Sequence, residues 1–156
     1  MQRVDEKILK LLQQDCRLSV ADVAERVSMS TSACHRRIKQ LEEQGYIAGY
    51  SARLRASKLG YGIQVYVEIS LSAQSDESLN RFEAAVRENP EILECHLMAG
   101  EADYLIRVAA RNTGDFERLH RKVLSHLPGV RSMRSNFILR TVQPWQGYPV
   151  GLHDNA

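Results

Sequence analysis

The sequence contains little cysteine, tryptophan or proline, with three, one and four residues of each in a chain of 156. The three cysteines, Cys16, Cys34 and Cys95, are odd in number and far apart in the sequence. Disulfide-framed domains and structural zinc sites both require paired or clustered cysteines. We therefore expect three reduced thiols and neither a disulfide framework nor a zinc site.

Long hydrophobic runs are also missing. No stretch approaches the roughly 18 apolar residues expected of a membrane span, and the charged start MQRVDEKILK lacks the apolar segment of a signal peptide. Hydrophobic residues make up 44% of the chain and charged residues 26%, which is ordinary for a globular protein. We expect a folded protein that stays in the cytoplasm and has no membrane partner.

The motifs of nucleotide and metal chemistry do not occur. The sequence has neither Gly-x-x-x-x-Gly-Lys nor Gly-x-Gly-x-x-Gly. Cys95 and His96 are neighbours on a predicted strand, so their side chains project to opposite faces and cannot act as nucleophile and base. His120 and His126 are six residues apart on a predicted helix, which is a poor spacing for sharing a metal. We expect no enzyme activity, no cofactor and no metal.

Charge is unevenly distributed along the chain. Residues 1–60 hold 11 Lys and Arg against 7 Asp and Glu, a balance of +4. Residues 61–156 hold 10 against 12, a balance of −2. A local basic excess in an otherwise balanced chain indicates a polyanion that is bound by one face.

Three helices are predicted in the first 45 residues. Ser19 and Ser30 stand where N-caps of the second and third helices are expected, Asp22 completes a short capping box, and Gly45 ends the third helix. Apolar residues recur at helical spacing in each segment. They are Val4, Ile8, Leu11 and Leu12 in the first helix, Val20, Val23, Ala24 and Val27 in the second, and Cys34, Ile38 and Leu41 in the third.

The third helix carries hydroxyl and basic side chains opposite its apolar residues. Two short helices joined by a tight turn, the second with such a face, predict a helix-turn-helix, whose second helix fits the major groove of DNA. Arg and Lys can reach guanine acceptors or phosphates, while hydroxyls and helix N-terminal amides bind phosphate oxygens. The alternative is a merely solvated basic surface. The candidate DNA-binding residues are Ser30, Thr31, Ser32, His35, Arg36, Arg37 and Lys39.

The following segment, YIAGYSARLRASKLG, alternates in polarity as a hairpin does and places further basic residues near the third helix. It predicts a wing over residues 46–60. From residue 63 the pattern has period two, with Ile63, Val65 and Val67 pointing to one side. Two helical and three more strand-like segments follow, the second helix over about residues 114–126. The order β-α-β-β-α-β is the ferredoxin-like arrangement, an antiparallel sheet with both helices on one face.

Two segments resemble the Lrp/AsnC transcriptional regulators. DEKILKLLQQDCRLSVADVAERVSMSTSACHRRIKQLEEQGYIAGYSARL is similar to their DNA-binding half, and MAGEADYLIR is similar to the strand-turn-strand of their effector domain. The similarity extends over about residues 3–142. It implies a sequence-specific regulator that binds double-stranded DNA as a homodimer assembled into a tetramer or octamer.

The resemblance also implies a small effector, with an amino acid as the expected one, bound between C-terminal domains beside this turn. A carboxylate at Glu101 or Asp103 could pair with the ammonium group of such a ligand, and N–H groups around Gly100 could bind its carboxylate. A solvated hairpin is the simpler alternative. The candidate effector-binding residues are Met98, Gly100, Glu101, Asp103, Tyr104, Leu127, Asn136 and Phe137.

The predicted fold class is α+β, an N-terminal winged helix-turn-helix followed by a ferredoxin-like βαββαβ domain. We expect a DNA-binding domain with its hinge strand at residues 1–60, a ligand-binding and dimerisation domain at 61–142, and a tail at 143–156. The Pro- and Gly-containing tail is either a flexible arm or a segment that packs on a partner. The competing function is a metabolite-binding module or small ferredoxin-like enzyme that does not act on DNA.

Overall fold

The computed structural model describes residues 2–151. The chain forms two compact units. We call residues 2–53 together with 143–151 the helical unit, and residues 54–142 the sheet unit. None of the described helices is long and apolar enough to cross a membrane.

The helical unit is built from α1 (Arg3–Gln14), α2 (Val20–Arg26) and α3 (Thr31–Glu43). Their apolar stripes meet in one small core, as the spacing of these residues predicts. Burial raises the pKa of the Cys34 thiol, so this side chain is neutral in the core. The fully or nearly buried members are Ile8, Leu12, Val23, Ala24, Val27, Cys34, Ile38 and Leu41.

Local signals fix the helix ends in this unit. The Ser19 side chain accepts a hydrogen bond from the Asp22 amide at 3.1 Å, and Asp22 returns one to the Ser19 amide at 3.0 Å. Ser30 caps α3 by accepting from the Ala33 amide at 3.3 Å. The predicted N-caps are therefore confirmed. Gly45, at φ +76°, ends α3 in the left-handed conformation that glycine adopts without strain.

The predicted hairpin over residues 46–60 is wrong in detail. The chain turns at the end of α3, continues through residues 47–55 without regular secondary structure and then forms a short 3-10 helix, Ala56–Leu59. No described residue pairs with this segment as a strand. Contacts to α3 hold its first part instead, since the Tyr46 amide donates to the Leu41 carbonyl and the Tyr50 hydroxyl donates to Glu42. The alternating polarity of residues 46–60 favoured an extended segment but gave no information on which strand would pair with it.

The sheet unit contains β1 (Ile63–Leu71), α4 (Asp76–Arg87), β2 (Ile92–Leu97), β3 (Tyr104–Ala110), α5 (Thr113–Lys122) and β4 (Val130–Phe137). The strand order is β2-β3-β1-β4 and every pairing is antiparallel, which confirms the ferredoxin-like prediction. The helix α5 ends earlier than the predicted helix over about residues 114–126, because the chain tightens into a 3-10 turn at Leu124–His126.

One face of the sheet supports α4 and α5 and contains the main hydrophobic core. The alternate residues of β1 and β3 face this core, and the Phe82 ring of α4 lies 4.5 Å from the Tyr104 ring. The opposite face is mainly polar, with Tyr66 and Leu105 among its charged side chains. There Arg134 pairs with Glu68 at 2.6 Å, and Arg107 pairs with Glu94 at 2.6 Å.

Candidate DNA-binding and effector sites

The candidate DNA-binding residues lie on the surface of α3 with one exception. We call the exposed set the α3 flank, and neither His35 nor Arg36 in it has a hydrogen bond or ion pair among the described residues. Lys39 approaches Glu43 only loosely, at 3.9 Å. The α3 flank comprises Ser30, Thr31, Ser32, His35, Arg36 and Lys39, all of which are exposed.

Arg37 is the exception, because it faces α1 rather than solvent. Its Nε lies 2.7 Å from Asp5 Oδ1, and the two side chains are only 25% and 11% exposed. The contact lacks hydrogen-bond angles and is therefore chiefly electrostatic. Asp5 is also held by the Gln2 amide, which donates to Oδ2 at 3.0 Å. The structure thus corrects the sequence-based grouping: Arg37 holds α3 against α1 and is not part of the α3 flank.

Asp5 is a structural partner of α3 that the sequence pattern did not identify. An acidic residue in the first turn of a helix is normal, because it compensates the helix dipole. The signal that distinguishes Asp5 is its position on the apolar side of α1, next to Val4 and Ile8. A carboxylate on a buried stripe requires a cation, and the available one is Arg37.

The α3 flank has the chemistry to bind a polyanion. The first amides of α3 carry partial positive charge, and the hydroxyls of Ser30 and Ser32 lie beside them, 3.4 Å apart. Two cationic or protonatable side chains, His35 and Arg36, stand free one turn further along. This arrangement suits phosphates at the helix start and base edges farther along the groove.

The turn between β2 and β3 contains the candidate effector residues, and they differ in availability. Both carboxylate oxygens of Asp103 are engaged, by the Leu71 amide at 2.7 Å and the Gln74 side chain at 2.6 Å. Gly100 and Glu101 are exposed, and within the described part of the chain their amides and the Glu101 carboxylate have no hydrogen-bond partner. Asp103 therefore shapes the turn, whereas Glu101 is free to meet a ligand.

Two of the other candidates belong to the core. Tyr104 is 1% exposed and its hydroxyl donates to Glu83 on α4 at 3.0 Å, while Leu127 is 5% exposed among the core residues. Their side chains face the helices, because Tyr104 follows the burial alternation of β3 and Leu127 closes the 3-10 turn after α5. In the single chain, neither side chain is therefore available to contact a ligand at the surface.

The remaining three candidates are exposed but do not converge in a single chain. Asn136 lies on the polar face of the sheet and donates to Glu68 at 3.1 Å. Phe137 lies on the helix side, with its ring 5.0 Å from that of Phe116. Met98 follows β2 near the turn and is partly exposed.

A helix-turn-helix with a basic exposed α3 flank, in one chain with a ferredoxin-like unit, defines a DNA-binding transcriptional regulator. Residues 1–48 match the family model described as winged helix-turn-helix DNA-binding. Residues 64–146 match the model of the Lrp/AsnC ligand binding domain. The chain belongs to the Lrp/AsnC family.

Known proteins agree with this assignment. An HTH-type transcriptional regulator of Sinorhizobium fredii is 49% identical over 116 residues, which is 74% of this chain and 91% of that protein. The transcriptional activator DecR of Escherichia coli is 35% identical over 150 residues, 96% of this chain and 99% of its own length. Among solved structures, a transcriptional regulator of Neisseria meningitidis in complex with L-Met has a TM-score of 0.91 at 32% identity and covers 97% of both chains.

Proposed function

We propose that the α3 flank enters the major groove of an operator, and that amino-acid binding to the sheet unit controls this contact. The observation that carries the proposal is the exposure of the six flank residues, with His35 and Arg36 uncommitted to other side chains. Ser30, Thr31 and Ser32 would bind phosphates at the start of α3. Arg36, His35 and Lys39 would contact base edges or phosphates farther along.

One α3 flank reads only a few base pairs, so the proposal includes assembly into a homodimer, with a tetramer or octamer as the larger form. Two recognition helices related by a two-fold axis would occupy half-sites about 34 Å apart. We assign DNA binding to residues 1–60 and assembly with effector binding to residues 61–142. Light scattering at several protein concentrations measures the subunit number directly.

The proposed effector is an amino acid bound beside the turn that contains Gly100 and Glu101. Its ammonium would pair with the Glu101 carboxylate and its carboxylate would accept hydrogen bonds from turn amides. The neighbour from Neisseria meningitidis was solved with L-Met, which supports this ligand class. Binding would change DNA affinity only if the ligand favours one of two arrangements of the assembly.

The DNA contact is tested by a salt titration of operator fragments selected from genomic DNA. The logarithm of the binding constant should fall with the logarithm of salt concentration, with a slope of about −0.9 per phosphate contacted. Arg36→Ala should weaken binding by about tenfold or more, and relax sequence preference if Arg36 reads a base edge. Arg81→Ala, an exposed change on α4, is the matched control. Equal affinities for the two variants would exclude α3 as the recognition helix.

The effector is tested by calorimetric titration with a panel of amino acids. Glu101→Gln should reduce the affinity of whichever amino acid binds by about tenfold, because the ammonium loses its charged partner. Glu88→Gln, another exposed glutamate on the same unit, should leave affinity unchanged. If Glu101→Gln binds the amino acid with wild-type affinity, the ammonium group is not bound by Glu101 and the proposed site is wrong.

A further inference from the structure

The last described residues pack on the helical unit of their own chain. We call residues 143–151 the strap. The Gln13 side chain of α1 donates to the Tyr148 carbonyl at 2.8 Å and accepts from the Tyr148 amide at 2.9 Å. This pairing matches the hydrogen bonds that a neighbouring strand would make to the same residue, so it recognises backbone and is independent of side-chain identity.

A second contact fastens the start of the strap. The Arg53 guanidinium donates to the Trp145 carbonyl. Arg53 is the last residue of the helical unit before the chain enters the sheet unit, and Gln143 is the first residue after the chain leaves it. This contact joins the strap to the segment of the helical unit that leads into the sheet unit.

Close packing shows that the strap has a defined seat. Gly147 adopts φ +93°, and an added Cβ would overlap the Gln13 side chain, which its two hydrogen bonds hold in place. At Gly151, an added Cβ would lie 2.9 Å from Glu6 Oε2. The Trp145 and Tyr148 rings pack edge to face, with centroids 5.0 Å apart.

The seat is on a face of α1 that is separate from its buried face. Glu6 and Gln13 are seven residues apart, about 20° short of two full turns, so they share one face of the helix. Ile8 and Leu12, which pack in the core of the unit, lie about 100° to 160° around the helix from these two residues, and Asp5 lies about 80° to 100° from them. The α3 flank residues are exposed with the strap in place, so the strap does not cover them.

We propose that the strap is a second tether that restricts the orientation of the DNA-binding unit. If one flexible linker joined each DNA-binding unit to its sheet unit, the two DNA-binding units of an assembly could reach half-sites over a range of spacings. The docked strap removes part of that freedom. It therefore raises the effective concentration of the second DNA-binding unit at one half-site spacing and lowers it at other spacings. The consequence for DNA rests on the proposed function, whereas strap docking itself does not.

Docking is tested first, without DNA, through the single tryptophan. In the full chain, Gln13→Ala should lower the fluorescence anisotropy of Trp145 and raise its quenching by acrylamide about twofold, because loss of two hydrogen bonds favours release of the strap. Gln14→Ala, the adjacent exposed change, should leave both readings at wild-type values. Gly147→Ala should reproduce the Gln13→Ala result from the strap side. Indistinguishable Trp145 signals in Gln13→Ala and Gln14→Ala would overturn the proposal.

Spacing is tested second, on paired half-sites separated by one helical turn or by an extra half turn. Wild type should prefer one spacing by about tenfold, and Gln13→Ala should reduce that preference severalfold while its affinity for a single half-site stays unchanged. Release of the strap with no change in spacing preference would refute the tether. Failure of the wild type to bind any half-site would instead contradict the DNA-binding proposal.

Discussion

The helical unit and the sheet unit achieve stable structures in different ways. The sheet unit has twelve buried residues in one core, all of them hydrophobic or aromatic, and the helical unit has eight. Each unit has two side-chain N-caps, but the helical unit has the more deeply buried ion pair, between Asp5 and Arg37, and it also has the strap. A small core determines the relative orientation of the three helices less strongly. The polar contact between Asp5 and Arg37 therefore helps to fix how α3 lies on α1.

The largest expected effect concerns the larger core. Phe82→Ala removes a fully buried ring and should destabilise the sheet unit by about 3 to 5 kcal/mol. Leu139→Ala, at a side chain that is 98% exposed, should stay within about 0.5 kcal/mol. Denaturation followed by far-ultraviolet circular dichroism measures the change. Trp145 fluorescence should report a separate transition of the helical unit, and a single shared transition would show that the units unfold together.

The next effect separates two neighbouring arginines of α3. Arg37→Met leaves the Asp5 carboxylate partly buried without its cation, and should cost about 2 kcal/mol. Arg36→Met removes an exposed cation and should leave stability within about 0.5 kcal/mol while weakening DNA binding. The double change Asp5→Leu with Arg37→Met should recover most of the lost stability. Equal melting of the two single variants would mean that the ion pair does not hold α3.

A smaller effect tests the one phenol in the core of the sheet unit. Burial, and then the hydrogen bond to Glu83, raise the pKa of Tyr104 to about 12. The folded pKa lies above the usual value near 10. The contribution of the neutral Tyr104 side chain to folding stability is therefore complete below about pH 10 and is lost as the pH rises through about 12. Tyr104→Phe should cost about 1 kcal/mol at neutral pH and flatten the alkaline fall in stability. An unchanged alkaline profile would assign that fall to other groups.

The smallest effect concerns the turn between α2 and α3. Ser28 has φ +57°, a left-handed conformation that is strained for a residue with a side chain. Ser28→Gly should stabilise the helical unit by about 0.5 kcal/mol, since the relief of strain exceeds the added chain entropy. Ala21→Gly, at an ordinary helical position of α2, should instead destabilise by about 1 kcal/mol. The sign difference, measured by thermal melting, identifies the strain.

Features that depend on neighbouring residues could be predicted from the sequence. The capping box at Ser19, the end of α3 at Gly45 and the period-two pattern of β1 are all local, and the structure confirms each. The exposure of most of the α3 flank follows in the same way, because residues opposite an apolar stripe face solvent.

Features that depend on distant residues could not be predicted in this way. Periodicity placed Arg37 next to the flank but gave no indication of Asp5, 32 positions earlier in the chain. The seat of the strap requires Gln13 and Tyr148 to meet across 135 residues. Tyr104 and Leu127 came from the resemblance alone, and their burial follows from how the strand and helix pack together.

The division of labour along α3 has an engineering consequence. Cys34, Ile38, Leu41 and Arg37 anchor the helix, whereas Ser32, His35 and Arg36 contribute nothing to its packing. Randomised libraries at those three positions should therefore retain folded members at high frequency. Such a scaffold could be redirected to new base sequences by changing the surface of a single helix.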